Sequence, residues 1–121
     1  MEREVSMRIL VVDDDANTCK AISLLLRASG YEVDTRDGPE TALDALRASS
    51  YDVLVTDHVM GEMTGLDLAR ESRLLQATIR CIVVSGHPAP PDGERAHVTW
   101  IEKPIDADAL IDAIHARATR T

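Results

Sequence analysis

The sequence predicts an α/β fold: a parallel sheet covered by helices on both faces. Three observations point there. Short apolar runs rich in branched residues alternate with segments of helical periodicity. Four such runs and one weaker segment occur, and each ends in polar or turn-forming residues. The composition, 45% hydrophobic and 28% charged over 121 residues, suits a globular chain of this size, which buries about two-thirds of its unfolded surface.

Ile9-Leu10-Val11-Val12 reads as a buried first strand, ended by Asp13, Asp14 and Asp15. Residues 16–29 set Cys19, Ile22, Leu25 and Leu26 at helical spacing. Asp15 supplies the N-cap of that helix and Gly30 stops it. Glu32 to Arg36 is a weaker strand whose polarity marks a sheet edge. Asp37-Gly38-Pro39 is a turn, and a helix follows through Leu43 and Leu46. Val53 to Thr56 is a third strand, ending at Asp57. Gly61 and Gly65 punctuate the next loop, and Leu66 to Gln76 is a helix. Ile79 to Val84 is a strand that ends at Ser85-Gly86. From residue 87 the chain reads HPAPPDGERAHVTW. Its prolines forbid a regular helix interior, so a helix there is truncated or absent. Val98 to Ile101 is a short strand ending near Lys103-Pro104. Ala107 to Arg117 is a last helix, with Leu110, Ile111 and Ile114 turned inward.

The length fits one domain over residues 1–121, with 1–6 as a flexible arm. No apolar run approaches the ~20 residues of a membrane helix. The N-terminus, MEREVSMRIL, carries charges of both signs where a signal peptide has an apolar core. A cytoplasmic chain with no membrane partner is therefore expected. The net charge of −8 repels nucleic acid, so no nucleic-acid partner is expected either. Cys19 and Cys81 read as buried thiols in a reducing compartment, and no Cys/His cluster has zinc spacing. With no Phe in the chain, the core is built mainly from Leu, Ile, Val, Ala and Met.

In open parallel sheets the site lies beyond the carboxyl ends of the strands. Here those ends carry Asp13, Asp14 and Asp15, then Asp57, Ser85 and Lys103. Each has an ordinary use: a helix cap, a turn, a loop start, an exposed lysine. Their joint placement is what points to chemistry. Clustered carboxylates repel unless a cation neutralises them. Hard oxygen ligands with room for water suit Mg²⁺. A carboxylate beside Mg²⁺ can take a phosphoryl group as an aspartyl phosphate. A lysine ammonium and a hydroxyl can then clamp the phosphoryl oxygens.

The strings ILVVDDD, YDVLVTDHVMGEMTG, CIVVSGH and IEKPI, in that order, resemble the four signatures of receiver domains of bacterial two-component response regulators. The resemblance spans roughly residues 7–118. It implies a doubly wound five-stranded sheet of order 2-1-3-4-5. It makes Asp57 the phosphoacceptor. It makes Asp14 and Asp57 direct Mg²⁺ ligands, Asp13 a ligand through water, and the backbone carbonyl of Val59 the remaining protein ligand. Ser85 matches the switch hydroxyl, Lys103 the phosphate clamp and Trp100 the aromatic switch position. Val59 and His87 match the positions that line the path of attacking water and tune the lifetime of the phosphate. The Lys103-Pro104 bond is implied to be cis. The phosphoryl donor is implied to be a sensor histidine kinase or a histidine phosphotransferase.

Gly61 departs from the proline usual at its position in the family. The segment between Ser85 and Lys103 is also short for the family, so the usual output surface does not carry over. The favoured reading is a stand-alone receiver or phospho-shuttle, or a receiver excised from a hybrid kinase, that catalyses only its own phosphorylation and dephosphorylation. Two alternatives compete. One is a haloacid-dehalogenase-like phosphatase with Asp13 as nucleophile and Asp15 following it in the D-x-D pattern. The other is a pseudo-receiver that binds partners without taking phosphate.

Overall fold

The computed structural model describes residues 7–91, 93 and 97–116. The expected arm at 1–6, residues 92 and 94–96 of the proline-rich segment, and the end of the last helix at Arg117 lie outside them. The elements run β1 (Arg8–Val12), α1 (Ala16–Ala28), β2 (Glu32–Arg36), α2 (Pro39–Ala48), β3 (Val53–Asp57), α3 (Gly65–Leu75), β4 (Arg80–Ser85), β5 (Val98–Glu102) and α4 (Ala107–Ala116). All strand pairs are parallel, and the sheet order is β2-β1-β3-β4-β5. The polar segment Glu32–Arg36 does take an edge. Among the described residues between β4 and β5 no α-helix forms, as the prolines predict.

Strand alternation splits the core in two. Ile9, Val11, Val53, Val55, Ile82 and Val84 face one way and pack against α1 and α4 through Ile22, Leu26, Leu110 and Ile114. Leu10, Val12, Leu54 and Cys81 face the other way, onto α2 and α3 through Ala45, Leu46 and Leu68. The strands of the sheet centre are buried on both faces, which explains their unbroken apolar runs.

The helix ends are fixed locally. Asp15 accepts from the Asn17 amide at 3.0 Å and from the Thr18 hydroxyl at 3.1 Å, capping α1. At the other end of α1, the Tyr31 amide reaches Leu26 O and the Gly30 amide reaches Arg27 O, the paired bonds of a Schellman turn. Thr64 and Asp67 form a reciprocal capping box at the start of α3. Gln76 closes the far end of that helix. Its side-chain amide donates to Leu46 O at 2.8 Å and Ser49 O at 2.7 Å, and its carbonyl accepts from the Tyr51 amide at 2.9 Å. At the amino end of the sheet, Asp34 accepts from the Tyr51 hydroxyl at 2.6 Å and from Arg8 at 3.1 Å, and the Arg8 guanidinium lies over the Tyr51 ring.

Candidate functional site

The carboxyl ends of β1, β3, β4 and β5 meet at one edge of the sheet. Asp13 and Asp14 follow β1, Asp57 ends β3, Ser85 ends β4 and Lys103 follows β5. Asp13 is buried, Asp57 half-buried and Asp14 exposed. One carboxylate oxygen from each lies within 4.8 Å of the others. The Lys103 ammonium reaches in at 3.2 Å from Asp57 Oδ1 and 3.9 Å from Asp13 Oδ2. Lys103 is seated by its own amide, which donates to Ser85 O at 2.7 Å and so extends the β4–β5 ladder. The following bond, Lys103-Pro104, is cis.

Burial pushes the Asp13 carboxyl above its ordinary value, and the Asp57 and Asp14 charges push the same way. The Asp15 amide, 2.9 Å from Asp13 Oδ1, and Lys103 oppose them. Three crowded acids with one lysine are short of positive charge. All the ligand atoms are hard oxygens. That donor set fits a small divalent cation such as Mg²⁺.

Two features hold Asp57 in place. Thr56 is buried under the strand end, with its hydroxyl 2.9 Å from Asp57 O. Gly65 opens α3 directly against the end of β3. A Cβ on Gly65 would stand 2.4 Å from the Asp57 carbonyl oxygen, so no larger residue fits without moving the strand end. The loop between them carries Gly61 at φ 98°, a conformation closed to proline, whose ring holds φ near −65°. The departure at Gly61 thus changes the loop path as well as its stiffness.

The remaining expected residues surround this centre. Ser85 is buried and sits one residue past Val84, the register partner of Asp57. Its Oγ accepts from the His87 amide at 3.0 Å. The Val59 side chain is 59% exposed on the loop after β3. His87 is exposed. Trp100 is half-buried and donates from Nε1 to His87 O at 3.0 Å. Its ring meets the His58 imidazole edge to face, with centroids 4.9 Å apart. His58 Nδ1 is buried and has no hydrogen-bond partner among the described residues. Neither the His58–Trp100 pair nor the Gly65 contact was read from the sequence. The capping box does have a signal there, the T-x-x-D pattern of Thr64 to Asp67.

The family model described as the response regulator receiver domain matches residues 9–115. The chain belongs to the response regulator receiver domain family. As a receiver it acts as a phosphoacceptor in two-component signalling. Among curated proteins it is similar to the transcriptional regulatory protein GlrR of Escherichia coli strain K12, 32% identical over 88% of this chain and 25% of GlrR. It is also similar to the cell cycle transcriptional regulator CtrA of Caulobacter vibrioides, 28% identical over 95% of this chain and 52% of CtrA. The receiver thus spans from a quarter to about half the length of these relatives. Among solved structures it resembles the response regulator TrrA of Thermotoga maritima in complex with Mg²⁺ and BeF, with 27% identity, a TM-score of 0.84, and 92% of this chain and 98% of that one covered. It also resembles the receiver domain of the hybrid histidine kinase CckA, with 29% identity, a TM-score of 0.78, and 91% and 97% covered.

These matches displace the phosphatase reading. So does the site: both oxygens of Asp15, the second acid that reading needs, are engaged in capping α1. Among the described residues no helix is long and apolar enough to cross a membrane.

Proposed function

We propose that Asp57 takes a phosphoryl group from a phosphohistidine, carried by a sensor histidine kinase or a histidine phosphotransferase. The observation that carries this reading is the Lys103 ammonium 3.2 Å from Asp57 Oδ1, beside a cluster of three carboxylates. In the transfer a carboxylate oxygen of Asp57 attacks phosphorus. The P–O bond forms as the P–N bond breaks, and the leaving imidazole takes up a proton. Lys103 neutralises charge on a phosphoryl oxygen, and its seating against Ser85 O fixes the position of that charge. The Ser85 oxygen accepts from the His87 amide, which leaves the hydroxyl proton to donate to a second oxygen.

Asp13, Asp14, Asp57 and the Val59 carbonyl would hold Mg²⁺, with Asp13 acting through water. When bound, the ion neutralises the acid cluster and the charge of the phosphoryl oxygens. The chemistry of the chain is confined to gaining and losing this phosphate. The switch residues Ser85 and Trp100 pass the change to a protein-interaction surface, with no nucleic acid and no membrane as partner. The domain spans residues 1–121 in this reading.

The test is incubation with Mg²⁺ and acetyl phosphate, followed by mass spectrometry of the acyl phosphate. Modification is expected at Asp57 and absent from Asp57→Asn, whose amide is not a nucleophile. Phosphate mapped to Asp13 would overturn the assignment.

A further inference from the structure

A groove of about 740 Å³ separates the start of α2 from α3 and the loop before α3. It shares none of Asp13, Asp14, Asp57 and Lys103 with the site above. Its floor is apolar: Met60 is buried and Met63 half-buried. Its banks are acidic. Asp37 and Glu40 stand on one side, Glu62 and Glu71 on the other, and all four are exposed. Arg70 is the one cationic side chain among the described residues that line it. That guanidinium is already paired with Asp67 at 3.1 Å. Among the described residues none of these four carboxylates has an ion-pair partner, and they flank a thioether floor.

We propose that this groove docks a cationic segment of a partner protein, with lysine or arginine side chains against the banks and an apolar side chain on Met60 and Met63. Thioethers are flexible and polarisable, so they accept apolar side chains of different shapes. A cleft lined by one sign of charge focuses its field and draws in the opposite sign. A second copy of this chain carries a net charge of −8 and is repelled. A small divalent cation needs carboxylates that converge. Among the described residues, the cluster that converges on one point is Asp13, Asp14 and Asp57, outside the groove.

The test uses the unphosphorylated chain, so its outcome is independent of the phosphoacceptor assignment. The probe is a fluorescein-labelled peptide of lysines and leucines patterned as an amphipathic helix. Saturable binding by fluorescence polarisation is expected at low salt. Glu62→Gln/Glu71→Gln should weaken it about fivefold, since each exposed ion pair contributes modestly. Met63→Ser should weaken it about threefold through lost apolar contact. Asp108→Asn/Asp112→Asn, which removes equal charge from the exposed surface of α4, should leave it unchanged. Amide chemical-shift changes should centre on Glu40, Glu62 and Met63. Absence of saturable binding overturns the proposal. So does equal weakening by the α4 variant, or equal affinity for a peptide with serines in place of leucines, since either outcome reports only bulk charge attraction.

Discussion

The His58 imidazole meets the Trp100 indole edge to face at 4.9 Å, which ties the residue after Asp57 to the aromatic of β5. The indole N–H is held by His87 O, two residues after Ser85. Trp100 is therefore anchored to both loops that a phosphate on Asp57 would disturb. Phosphorylation is expected to draw Ser85 toward the phosphoryl oxygens and let the ring move inward. Iodide quenching of the single tryptophan should then fall. His58→Ala should raise quenching in the unphosphorylated state, because an aromatic contact of ~1 kcal/mol is lost. His58→Phe keeps a ring and should hold quenching near its original level. Quenching that ignores both phosphorylation and His58→Ala would make Trp100 a static packing residue.

Asp13 sets a pH dependence whose sign can be worked out. Its carboxyl is held above its ordinary 3.8, chiefly by burial and then by Asp57 and Asp14. The folded chain therefore binds this proton more readily than the unfolded chain. The stability linked to Asp13 is complete below the ordinary value and is lost as pH rises through the folded one. At neutral pH the buried charge is a cost. Asp13→Asn should raise Tm by about 4 °C at pH 7, equivalent to ~1 kcal/mol for a chain of this size. The gain should shrink toward pH 4. Adding Mg²⁺ should stabilise the original chain more than the variant, and chelation should reverse the effect. A variant less stable than the original at pH 7 would contradict this account.

The lifetime of the phosphate should depend on Val59. Val59 is exposed two residues after Asp57, and its side chain has no polar group to orient a water molecule. Slow self-hydrolysis is expected. Val59→Asn should shorten the acyl-phosphate lifetime about tenfold, less than the roughly 100-fold or more of a general base, because an amide orients a water molecule without taking its proton. His87 is exposed on the opposite loop, and His87→Ala should lengthen the lifetime if its ring takes part. Timed acid quenching with mass spectrometry reads both. An unchanged lifetime in Val59→Asn would remove Val59 from this role.

Gly65→Ala should damage fold and chemistry together. The added methyl would stand 2.4 Å from the Asp57 carbonyl oxygen, against backbone rather than a yielding side chain. Relief requires α3 or the end of β3 to shift. A loss of about 2 kcal/mol in urea unfolding is expected. Slower phosphorylation at saturating acetyl phosphate should accompany it, as Asp57 is moved relative to Lys103. A fully stable variant with normal phosphorylation would show that the strand end yields freely.

The strand ends were legible because apolar runs in a doubly covered sheet stop where the chain leaves the core. Val12 gives way to Asp13, Thr56 to Asp57 and Val84 to Ser85, and those boundaries located most of the site. The edge position of β2 was legible from its polarity, and the lack of an α-helix among the described residues before β5 from its prolines. The contact of His58 with Trp100 was not. It joins the loop after β3 to β5 through side chains far apart in the chain, and no periodicity encodes such a meeting. Gly65 was read as punctuation because a close backbone approach leaves no mark except the absence of a side chain. Gln76 was read as a helix end. That its amide spans three backbone groups depends on the distance between α2 and α3, which packing alone sets.

The Gln76 clasp gives the acidic groove a hinge. Leu46 and Ser49 close α2, while Gln76 closes α3, so one side chain pins together the far ends of the two helices that bear the banks. Among the described residues no side-chain hydrogen bond joins the two helices at the near end, where the loop carrying Met60, Glu62 and Met63 lines the groove. A widening would be expected to pivot about Gln76 and to be greatest toward Met60 and Met63. An occupant that spreads the banks would pull on the loop that carries Val59, and a change in that loop would alter the width offered to an occupant. Such an opening would move one end of the groove and leave the other in place, as tweezers do and a sliding clamp does not.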